Sequence, residues 1–408
     1  MTLCTQPSLS RRTIIGSAGA MFAWSSIPAF ARDNSGRDPR FVVVVLRGAL
    51  DGLSAVAPVG DPDYAGLHGA LALSTSGDRP ALPLDSFFAL NPGMPGFVKL
   101  FAAKQAAIVH AVATSYRERS HFDGQDVLES GMPGPGSVQS GWLNRALAAL
   151  PVRDRVSGHG LEKGLGVGAI PPLVIRGPAP VLGWTPQNLP AADDDVSMRL
   201  LDLYRQSDPA LGEALAAGLQ TDRVAARQMA GPRGADNVAG MKQAAEGAAR
   251  LLAADDGPRI AALAFDGWDT HANEGGGNGR LAQLLSGLDG AIDAFRVTLG
   301  PAWRDTVIVA VTEFGRTARI NGTVGTDHGT GSVALLAGGA VAGGRVIADW
   351  PGLALASLYE GRDLRPTTDL RSMMKGVLAD HLGLGAGVLA ASVFPDSASV
   401  RPMSGLIV

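Results

Sequence analysis

Six consecutive apolar residues, Phe41-Val-Val-Val-Val-Leu46, do most to limit what this chain can fold into. A strand with one wet face alternates apolar and polar side chains. A β-branched run that is apolar throughout instead fits a strand covered on both faces, as in parallel sheets lying between helices. Short apolar runs recur at Ala106–Ala113, Arg259–Phe265 and Thr306–Val311, and Gly164–Ile175 offers a further strand. Helical patterning marks Gly96–Lys104, Asp123–Ser130, Val196–Gln206, Val238–Ala254, Arg280–Leu299 and Asp369–Leu382. Strand and helix alternate, which predicts an α/β fold with a mostly parallel central sheet. The Ala-rich region from Pro180 to Asp256 lacks a strand pattern. It is expected as a helical insertion, at about 180–256, in one domain spanning 32–408.

The first 31 residues read as an export signal rather than as part of that fold. Arg11-Arg12 precede an uncharged stretch from Thr13 to Trp24, and Ala29-Phe30-Ala31 supplies the small residues of a cleavage site. About a dozen residues rich in Gly and Ala are too few to span a bilayer, which needs ~20 apolar ones, so no stable membrane anchor is expected after cleavage. The pattern predicts the twin-arginine export machinery as a partner and a periplasmic or otherwise extracytoplasmic location. Cys4 leaves with the signal, so the mature chain has no disulfide and depends on an ordinary core. Losing Arg11 and Arg12 takes the formal charge from −3 to −5, and no basic run longer than two residues follows. Nucleic acid is therefore not an expected partner.

In open α/β sheets ligands bind beyond the carboxyl ends of the strands. The residues there are Arg47-Gly-Ala-Leu-Asp51-Gly52, Thr114–Asp123, Asp266-Gly-Trp-Asp269-Thr-His271, Thr312-Glu-Phe-Gly-Arg316 and Gly325-Thr-Asp327-His328-Gly329. His121, His271 and His328 thus fall among acids, whereas His110 lies within a strand. Carboxylate oxygen and neutral imidazole nitrogen both bind a borderline divalent metal at about 2 Å. One or two ions, drawn from zinc, manganese, magnesium or calcium, are the cofactors this composition suits. A pair of ions ~3.5–4 Å apart stabilises both the attacking and the leaving oxygen of a displacement. Arg316, Arg117 and Arg119 are candidates to hold the outer oxygens of an anionic ester. Gly275-Gly-Gly-Asn-Gly279 lacks the Lys-Ser/Thr of a phosphate loop and reads as a loop beside the site.

Gly325-Thr-Asp327-His328-Gly329, Glu313-Phe-Gly-Arg316, Phe265-Asp-Gly-Trp-Asp269-Thr-His271, Arg119-Ser120-His121-Phe122 and Leu46-Arg47-Gly48 with Asp51-Gly52 together resemble the exported domain-of-unknown-function 1501 family. That family looks like a distant branch of the alkaline phosphatase and sulfatase superfamily. The resemblance runs from about Phe41 to about Leu384 and implies a three-layer α/β/α sandwich. It implies that Asp51, Asp327 and His328 hold one metal, and that Asp269 and His271 hold a second. It makes Ser120, at the start of a helix, the nucleophile, with Ser115 the alternative and with His121 as a ligand, general acid or substrate contact. The implied activity is a metal-dependent hydrolase or transferase acting on a phosphate or sulfate ester. The alternative is a non-catalytic binding protein that keeps the fold and a metal.

Departures from the superfamily pattern are visible too. Asp269 and His271 are separated by one residue rather than three, with Asp266 a substitute for either. His381, the sole histidine near the end of the chain, lies in a helical pattern and is expected to be structural. Trp142 and Asn144 match the family pattern but suggest packing only.

Overall fold

The computed structural model describes residues 37–150, 164–186 and 238–408, with scattered positions between 201 and 216. Contacts divide the chain into Met1–Arg37 and Asp38–Val408, and the fold described here is that of the second unit. The signal peptide expected over 1–31, and most of both the 196–206 helix and the 180–256 insertion, lie outside the described residues.

The strands are β1 Arg40–Leu46, β2 Val56–Ala57, β3 Leu82–Pro83, β4 Ala89–Leu90, β5 Ala106–Ala113, β6 Gly164–Val167, β7 Val181–Trp184, β8 Ile260–Phe265, β9 Thr306–Val311, β10 Ser332–Ala337, β11 Arg345–Ile347 and β12 Thr368–Asp369. Nine form one sheet, in the order β11-β5-β10-β9-β1-β8-β6-β7 with β12 also beside β5. Only β10 runs antiparallel to its neighbours, β5 and β9. The remaining three make a small antiparallel sheet.

The apolar run Phe41–Leu46 becomes the central strand, hydrogen-bonded on one side to β8 and on the other to β9. Its side chains alternate between two cores. Val42, Val44 and Leu46 pack with Phe97, Leu285 and Leu288, whereas Phe41, Val43 and Val45 pack with Trp142, Met373 and Val377. Helices Pro95–Ala102, Val238–Ala253 and Arg280–Leu299 therefore cover one face, and Trp142–Ala149 and Leu370–Leu382 the other. This is the three-layer α/β/α arrangement. Each of these buried side chains contributes about 1.5–3 kcal/mol, so a one-residue slip that left an apolar face wet is strongly disfavoured.

Two strands depart from expectation. Val181–Trp184 is a strand inside the region expected to be helical throughout; four residues containing Gly183 carry too little pattern, and pairing with β6 decides their conformation. Ser332–Ala337 follows directly on site residues and is the antiparallel member of the sheet, held between β5 and β9. The strand expected over 164–175 stops at Val167. Gly168, at φ +131°, and Pro171-Pro172 turn the chain into a short 3-10 segment at Leu173–Ile175.

Candidate functional site

The carboxyl ends of β1, β5, β8 and β9 and the amino end of the antiparallel β10 lie at one edge of the sheet. Every motif quoted above leaves a strand there or enters one. Gly48 shows how tightly the segments meet. It sits at φ +120°, and a Cβ on it would lie 2.5 Å from the backbone nitrogen of Asp269. Only glycine allows the loop after β1 to pass so close to the loop after β8.

Four side chains converge. His121 Nε2 lies 2.9 Å from His328 Nε2, and His271 Nε2 is also 2.9 Å from His328 Nε2. Asp269 joins them, with Oδ1 at 3.1 Å from His271 Nε2 and 3.4 Å from His328 Nε2, and Oδ2 at 3.5 Å from His121 Nε2. His121, Asp269 and His328 place their donor atoms within 4.8 Å of one another, the spacing of a common ion.

What lies behind each ring fixes its tautomer. His121 Nδ1 donates to the buried carboxylate of Glu313 at 2.8 Å, and His328 Nδ1 donates to the Arg119 carbonyl at 3.0 Å. Both Nε2 atoms therefore carry lone pairs in the neutral rings. Two lone pairs at 2.9 Å require a proton or a cation between them. The hydrogen bond to Glu313 pushes His121 above the usual histidine range, whereas burial, then the neighbouring His121, push His328 below it. Glu313 itself resists burial through hydrogen bonds from His121 and the Gly48 N–H, and stays below the ordinary carboxylate range. An acid behind a ligating imidazole is the usual outer support of a metal site. In the sequence Glu313 stands out only within the Glu313-Phe-Gly-Arg316 motif, because nothing in spacing shows that it faces residue 121.

Arg316 makes three bonds within the protein. Its Nη1 donates to Asp269 Oδ1 at 2.5 Å, its Nε donates to Thr326 Oγ1 at 3.2 Å, and its Nη2 binds the Thr326 carbonyl. It is buried and holds Asp269, keeping that carboxyl below its usual range although burial opposes this. Arg117 is turned onto the carbonyls of Thr114 and Tyr116, and Arg119 onto Glu360 and Asp363. The three arginines expected to grip an ester thus each bond groups of the protein itself.

The other expected residues take different places. Asp327 lies behind His271, its Oδ1 3.3 Å from His271 Nδ1 and accepting from Asn321 Nδ2 at 3.1 Å. Asp51 is buried and caps the short helix Gly52–Ala55, accepting from the N–H groups of Leu53 and Ser54. Its other oxygen faces His68 at 3.4 Å, and Glu274 lies against it. Asp51 thus falls in a second buried group rather than beside Asp327 and His328. Burial and the Asp51 charge push Glu274 above the usual carboxylate range, whereas Asp51, against the effect of its own burial, is held below that range by His68. Ser120 precedes helix His121–Ser130, and its hydroxyl makes no capping bond. Ser115 donates to the Pro133 carbonyl. His381 bonds the carbonyl of Arg40, at the opposite end of β1, and Trp142 and Asn144 hold backbone carbonyls. Asp266 is exposed.

Over residues 102–393, well beyond half its length, the chain matches the family described as a protein of unknown function (DUF1501). The chain belongs to the DUF1501 family. The matched span holds all four converging residues of this DUF1501 protein, whereas β1, Gly48 and Asp51 precede it. No curated protein matches. Among solved structures it is similar to Ps i-CgsB in complex with k-i-k-neocarrahexaose, at 11% identity over 90% of this chain and 77% of that one, TM-score 0.43. Alkaline phosphatase from the Antarctic bacterium TAB5 aligns at 12% identity over 74% and 92% of the two chains, TM-score 0.32. Phosphonate monoester hydrolase of Agrobacterium radiobacter aligns at 15% identity over 85% and 74%, TM-score 0.30. Overlaps this distant say nothing of the chain's chemistry, which has to be read from its own side chains. No helix among the described residues is long and apolar enough to cross a membrane.

Proposed function

We propose that this DUF1501 protein is an exported, metal-dependent hydrolase or transferase acting on a phosphate or sulfate ester, with one divalent cation held by His121, Asp269, His271 and His328. One observation carries the reading: the Nε2 atoms of His121 and His328 and the carboxylate of Asp269 lie close enough to share an ion, His271 Nε2 lies 2.9 Å from His328 Nε2, and the Nδ1 atoms of His121 and His328 are bonded behind them. Three nitrogens and one oxygen suit zinc better than magnesium or calcium, which prefer all-oxygen surroundings. When bound, such an ion supplies Lewis acidity that draws charge from an ester oxygen.

The chain's own residues do the rest. Arg316 and Glu313 hold Asp269 and His121 in place. Ser120 makes no side-chain cap on helix His121–Ser130, and first-turn N–H groups at such a helix start are suited to an anion. Ser120 Oγ gives its proton to water and forms the new bond to phosphorus or sulfur as the ester oxygen departs with its electron pair and is protonated by water, and a second water later frees the anion and returns a proton to the serine. The occupied arginines favour a second reading, a metal-holding protein that binds an anionic partner without turnover.

Metal analysis of the purified mature protein, followed by phosphatase and sulfatase assays, separates these readings. Ser120→Ala is expected to abolish turnover while keeping the metal, and His328→Ala to lose both. Full activity in Ser120→Ala would sink the nucleophile. Metal without any esterase activity favours the binding reading. Export is tested by whether the periplasmic form begins at Arg32.

A further inference from the structure

We infer that Asp363 is a positioning residue that fastens His328 in place for the ion, an inference that rests on the metal reading above. Asp363 is fully buried, and both of its oxygens are used by arginines. Oδ2 accepts from Arg119 Nε at 3.0 Å and Nη2 at 2.9 Å, and Oδ1 accepts from Arg362 Nε at 2.9 Å. A dry carboxylate is tolerated only when paired in this way, and a forked guanidinium fixes direction as well as charge.

Both arginines then reach His328. The Arg119 carbonyl accepts from His328 Nδ1 at 3.0 Å, and Arg362 Nη2 donates to the His328 carbonyl at 2.7 Å. Arg119 adopts φ +61°, a left-handed conformation that is unfavourable for a non-glycine residue. That backbone turn aims its carbonyl at the ring, and the two bonds from Arg119 Nε and Nη2 to Asp363 Oδ2 hold the turn. Asp363 therefore controls His328 from two sides, ring and main chain, and Arg119 leads directly into Ser120 and His121. It belongs to none of the motifs that mark the site in sequence. Its carboxylate acts at one remove, through two arginines.

The test uses the full chain and cobalt(II), whose visible absorbance reports ligand geometry. The wild type is expected to bind one ion with an intense tetrahedral-type band. Asp363→Asn is expected to bind at least tenfold more weakly, with an altered band and unchanged far-UV circular dichroism. Arg362→Gln serves as the second variant, since its side chain is 44% exposed and the bonds of Arg119 to Asp363 remain. It is expected to weaken binding and alter the band in the same sense. Wild-type affinity and band shape in either folded variant overturn the inference and leave the metal reading standing. Absence of cobalt binding by the wild type overturns both.

Discussion

The Nε2 atoms of His121 and His328 face each other at 2.9 Å although both rings give their Nδ1–H to acceptors behind them. Either a shared proton or a cation has to lie between the two nitrogens, and an ion bound there ties both rings together. Adding zinc to metal-free protein should therefore raise the thermal midpoint, and chelation should reverse the rise. At a free concentration 100 times Kd the gain is about 2.7 kcal/mol. Calorimetry with and without zinc checks this; a midpoint indifferent to zinc and to chelator counts against the site.

Glu313 supports His121 through a buried, charge-assisted hydrogen bond. Glu313→Gln keeps the volume and removes the charge. Metal affinity should fall 10–100-fold with little change in fold. Isothermal titration of both proteins with zinc decides, and equal dissociation constants would remove Glu313 from the site.

Gly48 lies against the backbone of Trp268 and Asp269, where a Cβ would come within 2.5 Å of the Asp269 nitrogen. Gly48→Ala should destabilise the protein by about 1–3 kcal/mol through overpacking, with further strain from the positive φ. The Asp269 backbone has to give way, so metal affinity should fall as well. Denaturant unfolding and metal titration on the same variant measure both effects. A stable variant with unaltered affinity contradicts the close approach.

His110 is buried in β5, donates from Nε2 to the Val56 carbonyl and accepts the Ala111 N–H at Nδ1. Burial pushes it down to about 4. The unfolded chain protonates this histidine near 6.5 and the folded one does not until about pH 4. Stability is thus fully present above pH ~6.5 and declines by up to about 1.4 kcal/mol per unit as pH falls from there toward 4. His110→Gln should lower stability at pH 7 and flatten this decline, as read from urea midpoints between pH 4.5 and 7.5. A parallel decline in both proteins assigns it to other groups.

Local pattern carried much of this molecule. Phe41–Leu46, Ala106–Ala113, Thr306–Val311 and Arg280–Leu299 could be read directly, because a segment buried on both faces, or a long amphipathic helix, writes its environment into its composition. The parallel sheet followed from them, and with it the edge where a site had to lie. His121, Asp269, His271 and His328 were recognisable there because acids and histidines gathered after strands. Partnership was not legible. Whether Asp51 meets His328 or His68, whether Arg316 faces a ligand or Asp269, and whether Glu313 supports His121 all depend on how separate loops cross. Those crossings bring together residues as far apart as 121 and 328. The strands 181–184 and 332–337 belong with these, since their partners rather than their own residues decide their pairing. Side-chain chemistry and burial are local properties that a sequence records, whereas the distance between two loops is set by the packing of everything beneath them.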